Sequence, residues 1–435
     1  MERRQFLAGS AGAFAAGIGV HQSTLVRAST SPNEQLELLC VGVANRASAN
    51  LRGVEGQKLV GLCDVDANFL AAESKKQPNA KTFQDYRQMI DEMGDRADAI
   101  VVSTADHHHA PAALAGMQKG LHCYCEKPLT HTIEEARLMA ELGREKGLAT
   151  QMGTQIHAGS NYRRVVEQIR SGVLGEITRV HVWVGKGWGG GERPTKSDPV
   201  PKHLSWEHWI GPAPMRPYAK GRYHPAQWRR GWDFGQGTLG DMGCHYMDLP
   251  FWALGLKAPI RCKAEGPEVH AETCPLGLVV DYDFAASDSH GPLRLTWYDG
   301  NRAPKELENL SRGQLPGSGV LFVGSEGMMI ATYGSYKLLP ETKFRDVSEP
   351  PKSIADSIGH HAEWIEACRT GSPTTCNFEY SGALTECVLL GNVAYRTGKE
   401  LSWDHETMTV SNVPEANQLV RKEYRKGWEL PIRKS

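Results

Sequence analysis

The chain has no run of about 20 consecutive apolar residues, so no segment is expected to cross a bilayer as a helix. It has no excess of either charge: 49 Lys and Arg stand against 50 Asp and Glu in 435 residues. Without a long basic stripe it lacks the electrostatic footprint of a nucleic-acid binder. Its ten cysteines include no CxxC pair, and Cys40 and Cys63 lie in apolar runs. A disulfide framework and a cysteine metal site are therefore not expected, and the thiols read as small core residues. Internal repeats and low-complexity tracts are missing as well, which leaves an ordinary globular protein of two domains.

What is present falls into distinct textures. Residues 1–28 open with MERRQFLAGSAGAFAAGIGV, where Arg3 and Arg4 precede Phe6, Leu7 and a weakly hydrophobic Ala/Gly run. That is the outline of a twin-arginine export signal, and it leads us to expect a periplasmic or otherwise exported protein with no membrane insertion once the signal is removed. Over 36–155, the short apolar runs LELLCVGVA, LVGLCDVD, AIVVSTADHHHAP, GLHCYCEKP and LATQMGTQ alternate with helical stretches such as IEEARLMAELGREKG. The alternation predicts a Rossmann-type, doubly wound parallel sheet. Over 156–405, EITRVHVWVG, LGLVVDYDF, PLRLTWYDG and GVLFVGSEGMMIATYG alternate polar with apolar residues. They predict an α+β domain on a mostly antiparallel open sheet, with a tail at 406–435. An insert at 185–237, dense in Gly, Pro, Trp and Arg, is long enough to be functional and is expected to build a substrate pocket.

The first strand ends in Gly42-Val43-Ala44-Asn45-Arg46-Ala47, where only the first glycine of a GxGxxG turn is kept. Asn45 and Arg46 are placed to supply side-chain contacts to a pyrophosphate that the missing glycines would otherwise approach through backbone. Asp64, at the end of the second apolar run, reads either as the carboxylate that binds the adenosine ribose or as a helix N-cap. In the first reading it repels a 2′-phosphate and favours NAD over NADP, although a nearby Arg46 would suit that phosphate. The stretch GDMGCHYMD puts Asp241, His245 and Asp248 at helical spacing on one face, as catalytic groups or as a solvated face.

Four segments together resemble the glucose-fructose oxidoreductase and inositol dehydrogenase family, Gfo/Idh/MocA: the turn at Gly42, STADHHHAP, Glu126-Lys127-Pro128, and GTLGDMGCHYMD. The resemblance runs from about residue 36 to 405. It implies a catalytic set of Lys127, Asp241 and His245, with His245 as base and Asp241 orienting the histidine or holding a neighbouring hydroxyl. It also implies that Ser103, Thr104, Asp106, His109, Glu126 and Lys127 lie near the cofactor. Gln155, His157, Tyr162 and Arg163 fall where the family begins its substrate pocket; Trp188, Trp232 and Asp233 read as pocket lining or as core packing and surface charge. His107 and His108 diverge on a turn, and no metal is expected there. His360, His361 and Glu363 belong to a helix packed through Trp364, Ile365 and Cys368, with no catalytic role.

The implied activity is NAD-dependent oxidation of a secondary alcohol on a sugar or sugar derivative, in a homodimer or homotetramer. Export sharpens this, because no soluble nicotinamide pool exists outside the cytoplasm and a tightly bound cofactor would have to be restored in place. The alternatives are a redox-neutral glycosidase or lyase working through a keto-sugar, and a sugar-binding protein without catalysis.

Overall fold

The computed structural model describes residues 35–307 and 316–432; the expected export signal lies outside them. Strands β1 (Glu37–Val41), β2 (Lys58–Cys63), β3 (Lys81–Phe83), β4 (Ala99–Val102), β5 (His122–Cys125) and β6 (Thr150–Met152) form a parallel sheet in the order β3-β2-β1-β4-β5-β6. Such strands are apolar throughout because helices cover both faces, and β4 and β5 are buried at every residue. The crossover helix Ile133–Glu145 starts on a capping box made by Thr132 and Glu135.

The second sheet contains β7 (Ile177–Trp183), β8 (Arg261–Glu265), β9 (Val279–Phe284), β10 (Leu293–Tyr298), β11 (Gly319–Gly324), β12 (Met328–Ala331), β13 (Tyr336–Leu339), β14 (Leu401–Asp404) and β15 (Thr409–Val410). Its order is β13-β12-β11-β7-β10-β9-β8-β14-β15, antiparallel except where β7 meets β10. β9 alternates half-buried and buried residues, as a strand with one covered face does.

Two elements bind the halves together. Helix His360–Thr370 buries Trp364 against Leu36, Leu38 and Tyr124, so the chain returns to cover one face of the Rossmann sheet. Helix Phe378–Thr397 packs on Ile133–Glu145, where Arg137 grips Glu386 through two 2.9 Å bonds, and on the helix Gly237–Tyr246. Contact with the latter is close: a Cβ at Gly243 would lie 2.9 Å from the Val388 methyls. Residues 406–432 are not a free tail, since β15 pairs with β14 and residues 422–428 dock on the Rossmann half.

The insert has a core of its own. Trp206 stacks on Trp209 at 4.8 Å and 10°, and Trp209 meets Phe234 at 4.8 Å, with Val65 and Ala105 of the Rossmann half packed against the cluster. The insert therefore lies over the cofactor side of the sheet, not only beside a substrate pocket, because its aromatic cluster is completed by residues from the ends of β2 and β4.

Candidate active site

The site forms at the C-terminal ends of the parallel strands, where open α/β sheets place ligands. Gly42 adopts φ +87°, and a Cβ there would lie 2.4 Å from the Ser103 carbonyl oxygen, so only glycine lets the turn after β1 sit against the end of β4. Asn45 follows at φ +57° and the helix Arg46–Gly53 begins. Asp64 accepts from the Val43 amide at 3.0 Å, which ties the turn to the end of β2. Asp66, not Asp64, caps the next helix by accepting from Asn68 and Phe69, so Asp64 is left to face the cleft. A cleft of roughly 990 Å³, counted with its open mouth, is lined here by Gly42, Asn45, Arg46, Asp64, Ser103 and Thr104. A glycine-only turn, a helix start and a carboxylate on one cleft fit the pyrophosphate and ribose of a dinucleotide.

Behind Arg229, which lines that cleft, Lys127 follows β5. Its Nζ donates to the Asp241 carboxylate at 2.8 Å and to the Asp241 carbonyl at 2.6 Å. Arg229 Nε and the Trp188 indole also donate to that carboxylate, at 3.1 and 2.9 Å. Burial would raise the Asp241 pKa, but Lys127 and Arg229 outweigh it and hold the group well below the usual carboxylate range. His245, one turn on, is buried, with Nδ1 lacking a hydrogen-bond partner. Burial first, and then the Lys127 charge, hold it well below the usual imidazole range, so it is neutral at neutral pH. Asp241 makes no bond to His245; its expected orienting role is not what the geometry shows, since both oxygens are taken by cations and indole. The Asp106 carboxyl lies within the field of Lys127, Arg229 and Asp241, and burial pushes it up to about 8.

Glu126 shares its strand end with Lys127 and accepts from Arg46 Nε at 2.7 Å and Asn50 Nδ2 at 3.0 Å. It lies across Gly153, where a Cβ would meet its carboxyl at 2.7 Å. Asn50, which sequence reasoning missed, also donates to Ser103 at 2.8 Å and accepts from His361 at 3.1 Å. The available signal was a polar residue in a helix interior, a position that asparagine seldom takes without a partner.

Other expected contacts are made elsewhere. His109 does not reach the cleft: fully buried, it bridges the carbonyls of Pro128 at 2.7 Å and Thr104 at 3.2 Å and so fixes both loops. His107 and His108 both point Nε2 at the Trp209 carbonyl, 3.0 Å away, and anchor the insert. Gln155 stays near the site, 3.3 Å from Arg46. His157 is fully buried against the Asp248 carboxylate at 2.9 Å, which also accepts from Tyr380 at 2.7 Å. Asp248 starts the helix Asp248–Leu254 and leaves the Asp241–His245 face. With Cys376, these residues are the one potential metal cluster among the described residues, and the carboxylate is already engaged. Tyr162 is buried with its hydroxyl on the His245 carbonyl, and Arg163 is paired with Glu363 at 2.6 Å. Trp232 is in the core with its indole on the His270 carbonyl, and Asp233 is bonded to Arg216. The helix and loops after β6 turn His157, Tyr162, Arg163 and Trp232 inward, so they do not line a substrate pocket, whereas Asp233 stays half-exposed and is held by Arg216. All ten cysteines are free and buried.

The cleft has a second wall that does not come from the Rossmann half. His224, Pro225 and Trp228 of the insert, and Trp428 near the C-terminus, face Asp64, Phe69 and Tyr86. The wall is fastened on both sides. His203 and Val65 exchange backbone bonds with Ala67 and Ser205 at 2.8 and 2.9 Å, and His224 bonds Asp66 at 3.2 Å. Arg425 joins the tail to Glu207 and Gly211 at 2.6 and 2.8 Å. Arg87 covers the Trp428 ring at 3.7 Å, while Lys422 and Tyr424 reach Glu135 at 2.8 and 2.7 Å.

Comparison with known proteins follows this division. A family model described as the NAD-binding Rossmann fold of the Gfo/Idh/MocA oxidoreductase family matches residues 36–154, and one for its C-terminal alpha/beta domain matches 159–288. A glycosyl hydrolase family 109 protein of Shewanella sp. (strain W3-18-1) is 27% identical over 149 residues, 32% of each chain. D-glucoside 3-dehydrogenase of Escherichia coli (strain K12) is 29% identical over 120 residues, 28% of this chain and 34% of that protein. The match thus spans about a third of the length of these relatives. The WlbA dehydrogenase from Bordetella pertussis, solved with NADH and UDP-GlcNAcA, shares the fold with a TM-score of 0.60 and 17% identity, over 85% of this chain and 99% of that one. No helix among the described residues is long and apolar enough to cross a membrane. Both the dinucleotide-type half and the half that carries Asp241 and His245 are matched by its models, so the chain belongs to the Gfo/Idh/MocA oxidoreductase family.

Proposed function

We propose that the protein oxidises a secondary hydroxyl of a carbohydrate with NAD, and that the NAD stays bound between turnovers. The observation that carries the chemistry is the Lys127–Asp241 pair set beside a neutral His245 at the cofactor end of the sheet. Oxidation takes a hydride from carbon and a proton from oxygen, and the nicotinamide supplies the hydride acceptor when bound. Neutral His245 is free to accept the hydroxyl proton. Lys127, held in place by Asp241, donates to the same oxygen and stabilises the negative charge that builds there. Gly42, Asn45, Asp64, Ser103 and Thr104 hold the cofactor. Asp64 supports NAD over NADP, and two nitrogens of the Arg46 guanidinium are already taken by Glu126 and Gln155.

The second wall of the cleft supports retention: a dinucleotide between Asp64 and Trp428 is flanked by the insert and the tail as well as by the Rossmann half. Retention in turn supports a second reading, a redox-neutral glycosidase or lyase in which a transient keto-sugar forms and the same hydride is returned. The kinship with a glycosyl hydrolase family 109 protein favours the same reading. For an exported protein, as Arg3 and Arg4 suggest, retention would also answer the lack of a nicotinamide pool. The protein purified natively, then denatured, should release close to one NAD per chain by mass spectrometry. An empty protein that binds added NAD weakly would overturn retention, and glycoside cleavage without net NADH would select the second reading.

A further inference from the structure

Behind the turn Gln227–Arg230 the insert encloses another pocket, of roughly 510 Å³ with its mouth, that no step of the proposed reaction uses. Arg193, Arg216, Arg222 and Arg230 line it, and Tyr223 and Phe234 form its apolar wall. Carboxylates neutralise only part of this charge. Glu272 pairs with Arg193 at 2.7 Å and Arg216 at 3.4 Å, Asp233 takes a second Arg216 nitrogen, and Glu192 is turned to His270 at 3.0 Å. Among the described residues Arg222 and Arg230 have no carboxylate within 4.0 Å, and Arg222 donates only to the Glu192 carbonyl at 2.6 Å. The Nε atoms of Arg216 and Arg230 are buried without an acceptor, and Arg216 is only 8% exposed, its guanidinium held over the Phe234 ring at 4.8 Å.

We propose that this pocket binds a compact oxyanion, a carboxylate, sulfate or phosphate group, between Arg222 and Arg230. A guanidinium presents its donors as a planar fork that matches such a group, and buried N–H groups without acceptors are costly until one arrives. The site adjoins the active site: it shares the Trp228 ring with the wall of the cofactor cleft but none of Lys127, Asp241 or His245. Arg230 follows Arg229, which donates to Asp241. Gly190 and Gly191 follow Trp188, which donates to the other oxygen of the same carboxylate. The oxyanion is either a substituent of a saccharide that extends from the active site or a free inorganic anion. This inference holds whether or not the redox reading stands.

The test is a calorimetric titration of the full chain, saturated with NAD, with sodium sulfate at constant ionic strength. Saturable binding should appear in the wild type and weaken about tenfold or more in Arg230→Ala and in Arg222→Ala, whose side chain is exposed and removable without disturbing the fold. Arg230→Lys, which keeps the charge but loses the fork, should fall between. No saturable binding in the millimolar range, or equal binding in wild type and both alanine variants, would overturn the proposal. Displacement of sulfate by glucuronate but not by glucose assigns the site to an acidic sugar; sulfate that resists glucuronate assigns it to a free anion.

Discussion

Lys127 bonds Asp241 in a nearly closed site and, with Arg229, holds that carboxylate ionised. Lys127→Ala should lower kcat by about 100- to 1000-fold, the usual cost of losing one donor at a developing oxyanion, while the nucleotide content stays that of the wild type. Substrate-dependent nicotinamide absorbance measures the first and mass spectrometry the second; a wild-type kcat would remove Lys127 from the chemistry. Asp106 makes a prediction with a sign. Its folded pKa of about 8 lies above the ordinary 3.8, so the fold favours its protonated form. The resulting penalty is absent below about pH 4, grows as pH rises, and is on the order of 4 kcal/mol at pH 7. Asp106→Asn should therefore melt near wild type at pH 4 and increasingly above it up to pH 8; a difference that does not change with pH would mean that Asp106 is ionised throughout. At this scale the placement of side chains was legible where the backbone fixes them: Gly42, Asp64 and Lys127 follow strand ends, and Asp241 and His245 share one helix face, while their chemical roles are those proposed above. The sequence misled at His157, Tyr162, Arg163 and Trp232, whose types suit a sugar pocket equally well as a core. Nothing local in the chain says which way a helix is rolled.

Among the elements, the C-terminal segment has an importance that its sequence conceals. NQLVRKEYRKGWELP shows no sustained period and reads as a polar tail, yet Lys422 and Tyr424 both hold Glu135, Arg425 holds Glu207, and Trp428 lies under Arg87. These contacts bridge more than 200 residues of chain, beyond what periodicity or capping signals report. Most strands of both sheets, by contrast, were legible from their buried or alternating patterns, and the short β3, β8, β13, β14 and β15 escaped. Trp428→Ala should speed NAD release about tenfold or more, because it deletes a buried aromatic that closes the cleft. At saturating NAD its kcat should match the wild type, since the residue touches none of Lys127, Asp241 or His245. Stopped-flow dilution of loaded protein separates the two effects, and an unchanged release rate would mean that the tail is packing, not a latch.

For the whole molecule, the proposed cofactor is the one component that would touch the Rossmann half, the insert and the tail together. A ligand that binds only the folded protein stabilises it by about 4.1 kcal/mol at a concentration 1,000 times its Kd, so stripping NAD should lower the melting temperature by several degrees. That shift alone would not locate the effect, since any Rossmann ligand produces it. Location comes from trypsin, because the insert exposes Lys202, Lys220 and Arg222 and the tail exposes Lys426 on the two segments that form the second wall. If these segments close over NAD, cleavage there should accelerate in the stripped protein and slow again when NAD is restored, while cleavage at exposed Lys263 on β8, remote from the cleft, keeps one rate. Equal acceleration at all sites would instead mean global loosening. Unchanged cleavage alongside a lowered melting temperature would mean that the wall stands without the cofactor, and that a bound dinucleotide is held by the Rossmann half alone.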